Sequence, residues 1–259
     1  MAILQRVAAQ ETSESRELLT LRRGSPKFSG LQIRNKTPKT IGGLVKLLSA
    51  FGPNPRMVRI FMLEKGIDIP TEELDLLGAE NRGDAYLAKN PGGQMPALEL
   101  DDGTVIAETV AICEYLEDKH PDPAFFGSTA EERAVTRMWL RRIELQITEH
   151  MYNGFRFAEG IDLFRDRMVC IPEAADGLKA KAKDRLQWLD GLLEGKDYIT
   201  GKFSAVDMVL YCCMDFCKDV GQPVDRNLKN LSAWYDRVGS RPSAAASLHP
   251  ASAEVKMAG

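Results

Sequence analysis

In the stretch "KNPGGQMPALELDDGTVIAET", residues 89–109, two groups have the types and spacing to do chemistry. Met95-Pro96 stands directly before an apolar run, and a proline there removes a backbone donor that a sheet would use. Glu108-Thr109 stands directly after the next apolar run, where a helix begins. Free N–H groups and the positive end of the dipole favour an anion at that point. Plain capping by the same two residues is the competing reading. Upstream, "LLSAFGPNPRMV" holds Ser49, Asn54 and Arg56 at a loop–helix junction. Downstream, Met151, Tyr152, Phe155, Arg156 and Phe157 cluster as an apolar, adaptable set suited to a pocket, with ordinary bundle packing as the alternative.

These residues need elements to hold them. "LVKLLSAF" reads as a short strand. "NPRMVRIFMLEKGI" then reads as a helix with Asn54 at the N-cap, Pro55 at the first helical position and Gly66 just past the end. "TEELDLL" reads as an exposed strand and "GDAYLAKN" as a short helix or turn. "ALEL", "DDG" and "TVIA" make a hairpin. "ETVAICEYLEDKH" has helical spacing. The order is β-α-β followed by ββα, an α/β domain over 45–120. A linker at 121–128 leads to 129–250, which shows four amphipathic or apolar helices and no strand, hence an all-α bundle. In that bundle Ser204 and Asp207 fit a capping box. Residues 251–259 read as a tail.

Composition narrows the function classes. The chain has 259 residues, a net charge of −3 and ordinary apolar content. This points away from nucleic acid or an anionic membrane as the main partner, and no apolar run is long enough to span a bilayer. Five cysteines at irregular spacing suggest reduced thiols in a reducing, cytoplasmic setting rather than a disulfide framework. Three histidines lack metal-site spacing, so no metal is expected. Residues 1–44 carry eight Lys/Arg against three Glu. They read as a poorly structured extension, with a transit segment or an upstream start assignment as alternatives.

"NPGGQMPAL", Glu108-Thr109 and "ITGKFSAVDMVL", in this order, resemble the cytosolic glutathione transferases over residues 45–248. The resemblance implies a thioredoxin-like domain followed by a helical domain, glutathione as co-substrate, a small hydrophobic electrophile as second substrate, and a homodimer. It implies a cis proline at Pro96, with Met95 pairing its backbone to the tripeptide like an added strand. Glu108, Thr109 and Gln94 would hold the γ-glutamyl end, and Arg56 would help neutralise the thiolate or a carboxylate. Met151, Tyr152, Phe155 and Arg156 would line the electrophile pocket. The usual Tyr, Ser or Cys thiol donor is absent from "SAFGPNPR"; Asn54 is the first candidate for that role and Ser49 the second. Close variants on the same scaffold are ether cleavage and dehalogenation. The rival class is a non-catalytic binding module.

Overall fold

The computed structural model describes residues 45–259 together with the two-residue strand Lys39–Thr40 (β1). The reading of residues 1–44 as a poorly structured extension, with its transit-segment and upstream-start alternatives, lies otherwise outside the described residues. Pairing begins with β2, Lys46–Ser49, which runs parallel to β4, Thr71–Glu73, and antiparallel to β5, Ala97–Glu99. Strand β6, Val105–Ala107, closes the hairpin, giving a four-stranded sheet in the order β4-β2-β5-β6. β1 pairs instead with β3, Ile67–Asp68, outside that sheet. Helix α1 spans Pro53–Lys65, a short α2 spans Asp84–Leu87 and α3 spans Thr109–Lys119. α1 and α3 bury Val58, Phe61, Ile112 and Leu116 against Leu47 and Leu98 of the sheet.

The start of α1 differs from the sequence expectation. Gly52, at φ 143°, takes the N-cap, and Pro53 rather than Pro55 opens the helix. Pro53 loses nothing there, because the first N–H groups of a helix have no partner within it. Asn54 therefore lies one residue inside the helix, with its amide released from capping. At the other end Gly66 is left-handed as expected and donates to the Leu63 and Met62 carbonyls.

The second domain begins with one long helix that is not regular. It runs as α4, Ala130–Ile143, then a π-helical turn at Glu144–Thr148, then α5, Glu149–Arg156. A short α6, Ile161–Phe164, precedes α7, Ala175–Leu192. α8, Ala205–Cys217, is buried along almost its whole length, and α9 is Lys229–Gly239. Pro242 does not merely end α9; it opens α10, Pro242–Ala246. The tail beyond 250 is folded too: α11, Ser252–Val255, returns the chain so that Gly259 lies against the Phe51 ring.

Asp207 organises the bundle. It accepts from the Ser204 N–H and hydroxyl (2.9 Å each), the Ile199 N–H (3.0 Å) and the Trp234 indole (2.8 Å), all buried. Charged side chains tie the domains together at several points. At the linker, fully buried Lys65 meets Glu117 at 2.9 Å and donates to the His120 and Pro123 carbonyls. Glu117 in turn accepts from the Phe125 and Phe126 N–H groups. Across the α1–α8 contact, Arg56 pairs with Asp215 at 2.6 Å. Among the described residues no helix is long and apolar enough to cross a membrane, and no group of three or more His, Cys, Asp or Glu could hold a metal.

Candidate active site

The loop before β5 is held by three side chains behind it. Asn81 donates to the Gly93 carbonyl at 2.6 Å; Asn90 and Tyr86 donate to the Gln94 carbonyl at 2.8 and 2.6 Å. Pinned carbonyls fix the loop's outer edge while the Gln94 side chain stays exposed. The Met95–Pro96 bond is cis. The sheet ladder starts at Ala97, and among the described residues Met95 makes no backbone hydrogen bond. A strand-like edge is therefore open at Met95, although its side chain is buried. In the hairpin register Ala97 faces Ala107, so Pro96 and Glu108 flank the same end of the sheet. Glu108 sits at φ 70°, uncommon for a non-glycine residue. That backbone turns the chain from β6 into α3, with the Glu108 side chain exposed and Thr109 as the first helical residue.

One residue beside this loop escaped the sequence reading. A Cβ on Gly93, itself at φ +59°, would lie 2.8 Å from Arg82 Nη1, so the glycine is what lets the guanidinium approach. Arg82 Nε is buried without a hydrogen-bond partner, as is Asn81 Oδ1. A buried donor left unpaired is costly unless a ligand completes it. In "ENRGD" nothing separates this arginine from a solvated surface charge; only the loop's return reveals it.

The donors near the start of α1 sort differently from expectation. Ser49 is wholly buried and accepts from Arg59 at 3.3 Å, so it faces the core rather than the cleft. Arg56 also turns away. Its three donor nitrogens go to Ser247 Oγ (3.2 Å), Asp215 (2.6 Å) and the Ala244 carbonyl (2.9 Å). It is an interdomain tie and does not neutralise a ligand. Asn54 alone remains at the cleft, half-buried, with its Oδ1 3.4 Å from the Tyr152 hydroxyl. Burial pushes the Tyr152 phenol well above its usual range, so it serves as a neutral donor.

The opposite wall comes from α5. Met151 is a correction: it is 2% exposed, its sulfur lies 3.8 Å from Cys213, and it belongs to the bundle core. Phe157 is likewise buried. Phe155 is half-buried against the Phe216 and Phe164 rings. Tyr152 and Arg156 are half-buried rather than core, and the Tyr152 hydroxyl reaches Asn54 of the first domain. The Arg156 guanidinium lies over the Tyr152 ring (5.6 Å) and the Phe164 ring of α6 (5.5 Å). Beyond α6, Arg167 donates to the Leu76 carbonyl of the first domain at 3.0 Å. The structure thus brings together Met95, Pro96, Gln94, Glu108 and Thr109 on one side and Asn54, Tyr152 and Arg156 on another. It separates Ser49, Arg56 and Met151 from both.

The family model for the glutathione S-transferase N-terminal domain matches residues 51–119, and that for the C-terminal domain matches 172–249. The chain is 31% identical to glutathione S-transferase 2 of Saccharomyces cerevisiae over 200 residues, 74% of this chain and 84% of that protein. It is 31% identical over 186 residues to GstA of Escherichia coli O157:H7, 71% of this chain and 87% of that one. Among solved structures, a glutathione S-transferase domain-containing protein of Marinobacter aquaeolei VT8 superposes with a TM-score of 0.72 at 32% identity, covering 77% of this chain and 99% of that one.

Proposed function

The chain belongs to the cytosolic glutathione transferases, and from that premise we propose that Met95, Arg82 and the Glu108–Thr109 corner hold the tripeptide while Asn54 stabilises its thiolate. The protein is a glutathione transferase with glutathione as co-substrate. When bound, glutathione supplies the sulfur: the S–C bond forms as the leaving group departs with its electron pair, and the thiol proton passes to solvent. The chain's part is to raise the thiolate fraction and to position it. A free thiol titrates near 8.5, so most of it is protonated at neutral pH. A hydrogen bond to the charged form and the start of α1 both lower that value.

The observation that supports this reading most is the Asn54–Tyr152 contact. The Tyr152 hydroxyl holds the amide oxygen, and the amide N–H2 is left for an acceptor in the cleft. The Met95 backbone offers strand-like pairing to the cysteinyl unit. The free N–H groups of α3 suit the γ-glutamyl carboxylate with Glu108 facing its ammonium, and Arg82 suits the glycine carboxylate. The experiment is retention on immobilised glutathione followed by turnover with a generic aryl halide. Retention with turnover is expected. Absence of binding at millimolar glutathione would sink the reading, and binding without turnover on any electrophile would leave the binding-module class standing.

Exposed Val135, Met138 and Leu145 along α4 and the π-helical turn support a homodimer through that face. A solution mass near 28.8 kDa by light scattering, rather than about twice that, would remove it. The five unpaired cysteines support a reducing, cytoplasmic setting.

A further inference from the structure

Arg56 has Asp215 and Arg241 has Glu64 at 2.7 Å across the domains, and Lys65 has Glu117 beside the linker, while Arg59 and Arg167 cross between the domains onto the Ser247 and Leu76 carbonyls. Arg156 has neither kind of partner. Among the described residues its one side-chain hydrogen bond goes to the neutral amide oxygen of Asn153 at 3.0 Å, and none of their carboxylates lies within ion-pair distance. The guanidinium is half-buried between the Tyr152 and Phe164 rings. Aromatic faces offer a cation some attraction, but they displace water and supply no counter-charge.

Its position matters as much as its charge. Tyr152 touches Asn54 of the first domain, and α6, which holds Phe164, leads to Arg167 on the Leu76 carbonyl of that same domain. The Arg156 guanidinium therefore lies inside the bridge between the domains, one aromatic ring from the amide assigned to the thiolate. Glutathione brings two carboxylates. The α3 corner is suited to one and Arg82, at the far loop, to the other. The tripeptide thus leaves Arg156 without a counterion.

We propose that Arg156 selects electrophiles that bear an anionic group, a carboxylate above all, held by the planar guanidinium while the reacting carbon faces the sulfur. This rests on the assignment of Asn54 and the cleft given above. The guanidinium fork matches a carboxylate bidentately, which a lysine ammonium cannot do. The aromatic rings on either side would accept an aryl or alkenyl body attached to that carboxylate.

The test uses the full chain with saturating glutathione and a matched pair of probes, an aryl halide bearing a ring carboxylate and its methyl ester. Each rate is divided by the uncatalysed rate with glutathione. The wild-type protein is expected to prefer the acid in kcat/KM by about tenfold or more. Arg156→Gln is expected to erase that preference, mainly through KM, and Arg156→Lys to retain part of it. Calorimetric glutathione affinity without electrophile is expected to stay level in both variants. A wild type that conjugates both probes without preferring the acid overturns the proposal and leaves the transferase reading intact. So does an unchanged acid-to-ester ratio in Arg156→Gln. A loss of glutathione affinity in that variant assigns Arg156 to the tripeptide and equally overturns the proposal. A wild type that does not bind glutathione removes the broader reading and this one with it.

Discussion

At the scale of single residues, the site turns on which donors face the cleft and which face the core. Arg56 and Asn54 are two positions apart in one helix, yet they do opposite things. Arg56 is drawn inward by Asp215, and Asn54 is left beside Tyr152. Asn54→Ala is expected to raise the thiol pKa of bound glutathione by about one unit, the size of one hydrogen bond to the charged form. Thiolate absorbance followed against pH reads this directly. An unchanged titration would show that Asn54 contributes helix stability alone. The loop before β5 was legible in sequence because "NPGGQMPAL" is nine residues of linked requirement: a turn, a proline and an apolar strand. It did not reveal the partners of Arg56, Ser49 or Arg82. Each depends on a side chain far away in sequence or on a loop's return, and a residue type says nothing of such a contact.

At the scale of elements, periodicity located the helices and missed their details. The start of α1 shows why. Asn-Pro satisfies the usual rule for a helix start, but "GPNP" holds two prolines, and Gly52 reaches the cap conformation at little cost while Pro53 needs no donor. The π-helical turn at Glu144–Thr148 was likewise invisible, since one extra residue in a turn barely disturbs an amphipathic stripe. It shifts the register of everything after it, so α5 leaves Tyr152 and Arg156 half-buried and turns Met151 to the core. The Ser204–Asp207 capping box was legible because its residues are three apart, whereas the indole of Trp234 that completes it was not.

At the scale of the whole molecule, two folded units share a charged seam. Burial alone would raise the Asp215 carboxyl, but donors on Lys218, Tyr235 and Arg56 outweigh it and hold the group below the ordinary carboxylate range. Tyr211, whose phenol burial pushes up to about 12, packs on the same arginine. A carboxylate depressed in the fold lends stability that is present above its unfolded value, near 3.9, and lost as pH falls through the folded one. The thermal midpoint is therefore expected to hold from about pH 7 to 5 and to fall below about pH 4. Asp215→Asn, less stable at pH 7 because Arg56 is left buried without its counter-charge, is expected to lose less between pH 5 and 3. Parallel acid slopes for the two proteins would assign the acid loss elsewhere.

The distribution of thiols has a consequence for survival in service. A catalyst that meets reactive carbon compounds is at risk from them, since its own sulfur can be alkylated in place of the peptide's. Cys113, Cys212, Cys213 and Cys217 are sealed in the core, and burial holds Cys212 at about 12, far from the ionised form that reacts. Only Cys170 approaches the surface, with its sulfur 3.9 Å from the Arg156 carbonyl. An unconjugated electrophile thus finds one accessible thiol on the protein, Cys170, and self-inactivation at sulfur would leave its mark at that one place.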